Sequence, residues 1–236
     1  MADDRLRVHA RGAITEITFD HPPINIYDVA TRDALCEVLT AILADPEVRV
    51  VVFTAAGDHF SAGADLREFG TAPSLFAMRD ARWQRDVWGL LRAVPVPMVA
   101  SMQGNAVGFG FELALQCDVR IASHDCVVAL PEAHVGMLPA GGASQTLPRL
   151  VGNAAALAAV ITGERIAATD ARARGFVDEV VPRAALRART DELAAALAAR
   201  PAAAVRAAKA AVWAALDLPL PVGLEREADL AATLQG

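Results

Sequence analysis

Gly104-Asn105-Ala106-Val107-Gly108-Phe109-Gly110-Phe111-Glu112-Leu113-Ala114-Leu115-Gln116-Cys117-Asp118-Val119-Arg120-Ile121-Ala122-Ser123 is the stretch on which the fold turns. An apolar run of strand length at 98–102 precedes it. Gly104, Gly108 and Gly110 then bracket the start of a helix expected over 111–117, and a second short apolar run follows at 119–122. Phe60-Ser61-Ala62-Gly63-Ala64-Asp65-Leu66 has the same character: it follows the apolar run 48–54 and consists largely of small residues. Small residues let a ligand approach the main chain, and the free N–H groups of a helix's first turn carry partial positive charge. Two such N–H groups converging on one point make an oxyanion hole. Each loop taken alone also fits a packing role for its glycines.

Outward from these loops, 13–19 is rich in β-branched residues and stops at Pro22-Pro23, which predicts a strand and a turn. Leu35, Val38, Leu39, Ile42 and Leu43 recur at helical spacing between Val29 and Ala44, and Asp45-Pro46 closes the pattern. The near-continuous apolar run 48–54 lacks alternation, as a strand buried on both faces does. A helix is expected over 77–94, ended by Pro95 and Pro97, and a further strand at 127–130. From Ala154 onward the alanine-rich sequence reads as packed helices, interrupted near Gly163, between Gly175 and Pro182, at Pro201 and at Pro219 to Pro221. Strands alternating with helices argue for repeated β-β-α or β-α units in an α/β core over residues 1–182, with a helical appendage over 183–236.

Twenty-two Lys and Arg against 28 Asp and Glu give a net charge of −6, which leaves no basic footprint for nucleic acid. Lys209 is the only lysine, so side-chain contacts to a phosphate rest mainly on arginine. Cys36, Cys117 and Cys126 lie in apolar surroundings without CxxC pairing, and an odd number cannot all close intramolecularly. The opening MADDRLRVHARG lacks a basic start and an apolar h-region, and no window reaches about 18 uncharged apolar residues. A soluble cytoplasmic protein with no membrane partner is the expectation.

Gly108-Phe109-Gly110 is not a dinucleotide fingerprint, because Leu113 stands where the third glycine belongs. No G-x-S-x-G elbow surrounds Ser61, and the five histidines show no metal-ligating spacing, with His124 and His134 reading as loop residues; no metal is expected. Two carboxylates stand out. Glu112 sits among Gly110, Phe111, Leu113 and Leu115, and Glu132 follows Leu130-Pro131 at the end of an apolar run. An acid in such company is costly unless it is paired, hydrogen-bonded or partly protonated, and the last state suits general acid–base work. A helix-face or cap role is the alternative for each. Asp33, Glu37, Asp191 and Glu192 read as solvated helix faces.

Taken in order, Pro22-Pro23-Ile24-Asn25, DPEVRVVVFT (45–54), FSAGADL (60–66), GNAVGFGFELALQCDVRIAS (104–123) and LPEAHVGMLPAGGASQTLPRLVG (130–152) resemble the crotonase superfamily, the enoyl-CoA hydratase/isomerase family, over residues 13–181. The resemblance implies a spiral of β-β-α units with a C-terminal helical part and assembly into homotrimers or homohexamers. It also implies an oxyanion hole formed by the main-chain N–H groups of Ala64 and Phe109. The loop around Ala62, Asp65 and Leu66 would meet the adenine of coenzyme A, which enters as part of the substrate; no other cofactor is implied. Glu112 and Glu132 fall on the two catalytic glutamate positions of the hydratases, flanking a water that adds across the 2,3 double bond of an acyl-CoA thioester. A double-bond isomerase manages with one carboxylate, so two acids favour hydration. An isomerase and a non-catalytic binding or assembly protein are the competing expectations. Phe109 and Ala140 stand where many relatives carry glycine. The basic, phenylalanine-containing terminal helix of relatives has no counterpart after Gly223-Leu224-Glu225-Arg226-Glu227, which leaves phosphate contacts and the lid open. Phe69, Phe76, Trp83 and Trp88 lie in the segment that lines the acyl pocket in relatives.

Overall fold

The computed structural model describes residues 5–68, 70, 71, 74 and 84–235. A six-stranded sheet runs in the order β1 (Leu6–Arg11), β2 (Ile14–Phe19), β3 (Val50–Ala55), β4 (Met98–Met102), β6 (Val119–Ser123), β9 (Glu179–Val181). Only the β1–β2 pair is antiparallel. A second sheet contains β5 (Asn105–Val107), β7 (Val127–Ala129) and β8 (Ile166–Ala167). Along the chain β4 lies in the large sheet, β5 in the small one, β6 in the large one and β7 in the small one. This is a β-β-α spiral with α-helices between the turns, the expected α/β architecture.

The parallel strand β3 is fully buried from Val50 to Phe53, as a strand covered on both faces must be. On one face lies the larger apolar cluster, which contains α1 (Val29–Ala44), α2 (Val87–Ala93) and α3 (Phe109–Gln116) side chains packed on Ile17, Phe19, Val51 and Phe53. On the other face α7 (Arg183–Ala198) lays Leu186 and Ala194 on Val50, Val52, Val99 and Ile121. That helix begins at Arg183 and covers the large sheet. The hairpin of α8 (Ala202–Ala214) and α9 (Leu220–Ala232) lies beyond it. Between β7 and β9 the chain forms a 3-10 turn (Glu132–Val135) and the helices α4 (Ala143–Val151), α5 (Asn153–Thr162) and α6 (Ala168–Ala173).

Several expectations shift. The edge strand β1 carries no clear apolar pattern because its Arg7, His9 and Arg11 stand on an exposed edge. In α1 the buried face uses Thr31, Leu35, Cys36, Leu39 and Ile42, while Leu43 is exposed. α3 begins two residues before the expected 111. Of the helix expected over 77–94, the described part is α2; Phe69, Phe76 and Trp83 lie outside the described residues. Asp191 is not a solvated helix-face acid: it is tied to Arg11 (2.7 Å) and Arg187 (2.8 Å). Among the described residues no helix is long and apolar enough to cross a membrane.

Candidate active site

The loop after β3 is threaded between a turn and the small sheet. Asn25, in the left-handed region at φ 50°, accepts the His21 N–H on Oδ1 and donates from Nδ2 to the carbonyls of Ala56 and His59, which pins the turn to the loop. Ser61 N–H donates to Asn105 O and Val107 N–H to Ser61 O, both at 2.9 Å, so the loop pairs with β5. On its other side Ala62 N–H donates to Ile24 O, Tyr27 N–H to Gly63 O, and Asp65 N–H to Tyr27 O. The bridge to Tyr27 uses the groups flanking Ala64, so Ala64's own N–H projects from the opposite edge.

Gly63 (φ 103°) and Gly108 (φ 54°) are both in conformations that glycine alone adopts readily, and they are pressed together. A β-carbon on Gly63 would sit 3.1 Å from Val107 O; one on Gly108 would sit 3.6 Å from Gly63 Cα and 3.0 Å from Glu132 Oε1. Ala64 and Phe109 are the residues that follow these two glycines. Among the described residues neither the Ala64 N–H nor the Phe109 N–H donates to a protein acceptor, and Phe109 opens α3, where the helix's own geometry leaves its N–H free.

Glu112 lies in the first turn of α3, only 5 % exposed. Its Oε1 accepts two main-chain N–H groups, from Gly141 at 2.7 Å and Ala143 at 3.2 Å. Gln116, one turn on, donates from Nε2 to Gly141 O, so two side chains of α3 hold the 141–143 corner. Glu132 opens the 3-10 turn. Its Oε2 is buried with no hydrogen-bond partner among the described residues, and burial raises the carboxyl above its ordinary range against a smaller lowering from its own N–H. One carboxylate is thus gripped and the other is free to hold a proton; the Glu132 carboxyl lies beside Gly108, whose carbonyl accepts the Glu112 main-chain N–H at 2.8 Å.

Aromatic rings back this arrangement. Phe109, 4 % exposed, stacks on Tyr27 with centroids 3.4 Å apart at 11°, and meets Trp88 at 5.4 Å and Phe19 at 6.2 Å. The Trp88 ring lies so close over Gly141 that no β-carbon fits there. The signals for Gly141, Ala143 and Tyr27 were weak in the sequence: the first two act through the main chain, although the Gly141-Gly142 pair marks a special turn.

The expected adenine loop lies nearby on the surface. Ala62 is half-buried, Leu66 is exposed, and Asp65 is held by the Nε and Nη2 of Arg67, whose hydrogen bonds lower its carboxyl to about 2. Lys209 is committed elsewhere, donating to Val96 O and Asp118. A cavity of about 820 Å³ opens on the α7 face of the large sheet, away from these residues, lined in part by Glu16, Thr18, Thr54 and Arg187. Its charges are internally paired: Glu16 binds Arg11 and Arg187, and Arg183 binds Asp58 and Asp125.

Residues 9–235 match the family described as Enoyl-CoA hydratase/isomerase. The chain belongs to that family. A peroxisomal bifunctional enzyme of Danio rerio is 39 % identical over 171 residues, 71 % of this chain but 23 % of that protein, so the chain spans less than a quarter of that relative. YngF of Bacillus subtilis is 37 % identical over 191 residues, 80 % of this chain and 74 % of YngF. Among solved structures, an enoyl-CoA hydratase of Bacillus anthracis superimposes with a TM-score of 0.90 at 33 % identity, over 97 % of this chain and 90 % of that one. Like these enoyl-CoA hydratase/isomerase family members, the chain has the crotonase fold.

Proposed function

We propose that the protein is an enzyme that hydrates a 2-enoyl-CoA thioester. The thioester oxygen accepts the N–H groups of Ala64 and Phe109, and the coenzyme A adenine lies against Ala62, Asp65 and Leu66. Water oxygen bonds to Cβ while the π electrons move toward the thioester, building enolate charge that the two amides stabilise. Glu112, held by Gly141 and Ala143, orients and activates the water. Glu132 gives its proton to Cα and recovers one from the water, so H and OH are added and both carboxyl groups return to their starting states.

The observation that carries this reading is the contrast between the two glutamates: one fixed by two N–H donors, the other buried, unpartnered on Oε2 among the described residues and shifted toward its acid form. Purified protein incubated with crotonyl-CoA is expected to bleach the ultraviolet absorbance of the conjugated thioester. No loss with any enoyl chain length counts against it. The free Oε2 of Glu132 also suits a lone proton shuttle between Cα and Cγ, the isomerase reading; loss of isomerisation on changing Glu132 with Glu112→Gln harmless would favour that instead.

Exposed Leu157, Ile161, Val212, Leu220 and Leu224 on α5, α8 and α9 support a homotrimer or homohexamer as the working form. Sedimentation at micromolar concentration tests that assembly.

A further inference from the structure

The two amides of the proposed oxyanion hole come from segments far apart in the chain, one in the loop after β3 and one at the start of α3. Ser61 pairs with β5 just before these segments meet, and Gly63 and Gly108 touch beyond that pairing, where neither has a side chain to pack the residue that follows it. Tyr27 touches both segments by different means. Its main chain forms the parallel bridge to Ala64, with Tyr27 N–H on Gly63 O at 2.9 Å and Asp65 N–H on Tyr27 O at 2.8 Å. Its ring lies face to face on the Phe109 ring, centroids 3.4 Å apart. Phe19 and Trp88 close the other sides of Phe109, so its ring has one place to go.

We propose that Tyr27 is a positioning residue that holds the Ala64 and Phe109 amides in register as one oxyanion hole. This rests on the acyl-CoA reading of the site but not on which reaction follows. The aromatic face matters and the phenol does not: among the described residues the Tyr27 hydroxyl makes no hydrogen bond, whereas its ring makes the closest aromatic contact to Phe109. A donor displaced by a fraction of an ångström still allows the thioester to bind but loses most of its effect where charge develops, so the loss falls on kcat rather than on KM.

The test reads the hole directly. Butyryl-CoA carrying carbon-13 at the thioester carbonyl has no double bond to react, and its carbonyl stretch moves to lower frequency when two donors polarise it. The full-length wild type is expected to show that shift. Tyr27→Phe is expected to keep it, and Tyr27→Leu to lose most of it while binding butyryl-CoA within about threefold of wild type. In turnover of crotonyl-CoA, Tyr27→Leu is expected to lower kcat about tenfold to a hundredfold with KM little changed, and Tyr27→Phe to restore it.

If Tyr27→Leu does not fold, Phe109→Leu removes the stack from the other side while keeping a main-chain N–H at position 109, and the same loss of shift is expected because that donor is no longer held in register. A full carbonyl shift in the leucine variants, an equal loss in Tyr27→Phe, or a wild type that binds without any shift overturns the proposal. A wild type that shifts the carbonyl but leaves crotonyl-CoA untouched removes the hydratase reading alone, and the Tyr27 variants still decide the positioning role through the shift.

Discussion

Gly63 and Gly108 meet through their α-carbons: a β-carbon on Gly108 would stand 3.6 Å from Gly63 Cα, and one on Gly63 would stand 3.8 Å from Gly108 Cα. The two small-residue loops can approach this closely only because both positions lack side chains and both have positive φ. The obstacles differ in kind. A methyl at 63 meets the Val107 carbonyl, which β5 holds in place, whereas a methyl at 108 meets the end of the Glu132 side chain, which can swing aside.

Gly63→Ala is therefore expected to cost about 1–3 kcal/mol of folding stability, with a loss of crotonyl-CoA turnover as the loops part. Gly108→Ala is expected to cost less stability but to displace Glu132. Urea unfolding and turnover measured on both variants check this. Equal stability of Gly63→Ala and wild type would contradict the close approach of the loops.

Glu112 offers a second discrimination, between charge and hydrogen-bond acceptance. Its Oε1 satisfies the Gly141 and Ala143 N–H groups. Glu112→Gln keeps an oxygen that can accept from them and removes the charge that orients and activates the water, so turnover is expected to fall about 10²- to 10⁴-fold with a near-wild-type melting temperature. Glu112→Ala leaves both buried donors unsatisfied, at about 1–3 kcal/mol for each group left unpaired, and is expected to melt well below Glu112→Gln. Thermal melts of the two variants side by side are the measurement; coincident melts would mean that the 141–143 corner does not depend on the carboxylate.

The parts of this fold that were legible in the sequence are those with a local cause. The run Val50 to Phe53 is apolar because both faces of β3 are buried, and α1 keeps its period because one face meets the sheet. Strand β1 was hidden because it pairs on one side only, with Arg7, His9 and Arg11 in a segment that spends most of its surface on solvent. Glu112 and Glu132 were visible as acids in apolar company. Their difference was not, since it depends on Gly141 and Ala143 folding back from 29 and 31 residues away. Tyr27 gave only a weak signal because its partners are a main-chain bridge and a ring brought to it by the tertiary fold.

Glu16 likewise has partners that only the tertiary fold brings to it, and it separates stability from activity. It is buried on β2, facing α7, where its carboxylate binds Arg11 at 2.9 Å and Arg187 at 2.8 Å, while Thr18 and Thr54 donate more weakly. The proposed chemistry lies on the other face of the sheet. Glu16→Ala takes one of two carboxylate partners from each of Arg11 and Arg187, which keep Asp191, and is expected to cost about 1–3 kcal/mol of stability with kcat within about twofold of wild type. Denaturant unfolding paired with turnover checks it; a large drop in kcat in folded protein would mean that the α7 face is coupled to the site.

Glu132 is expected to carry a cost in stability at neutral pH that its chemistry requires. Burial raises its carboxyl above the ordinary range, so the folded protein binds this proton more tightly than the unfolded chain does. Its contribution is therefore fully present below the unfolded value, near the ordinary range, and is lost as pH rises through the raised folded value. Above that point the native state must hold a charged carboxylate whose Oε2 has no hydrogen-bond partner among the described residues. Glu132→Gln removes the charge, so it is expected to melt higher than wild type at pH 7 and to lose that advantage as pH falls below the carboxyl's ordinary range. Turnover of crotonyl-CoA is expected to fall about 10²- to 10⁴-fold in the same variant. Melting curves from pH 4 to pH 8 decide the point: a gap between variant and wild type that stays constant or widens toward acid would show that the proton is not bound more tightly in the folded state.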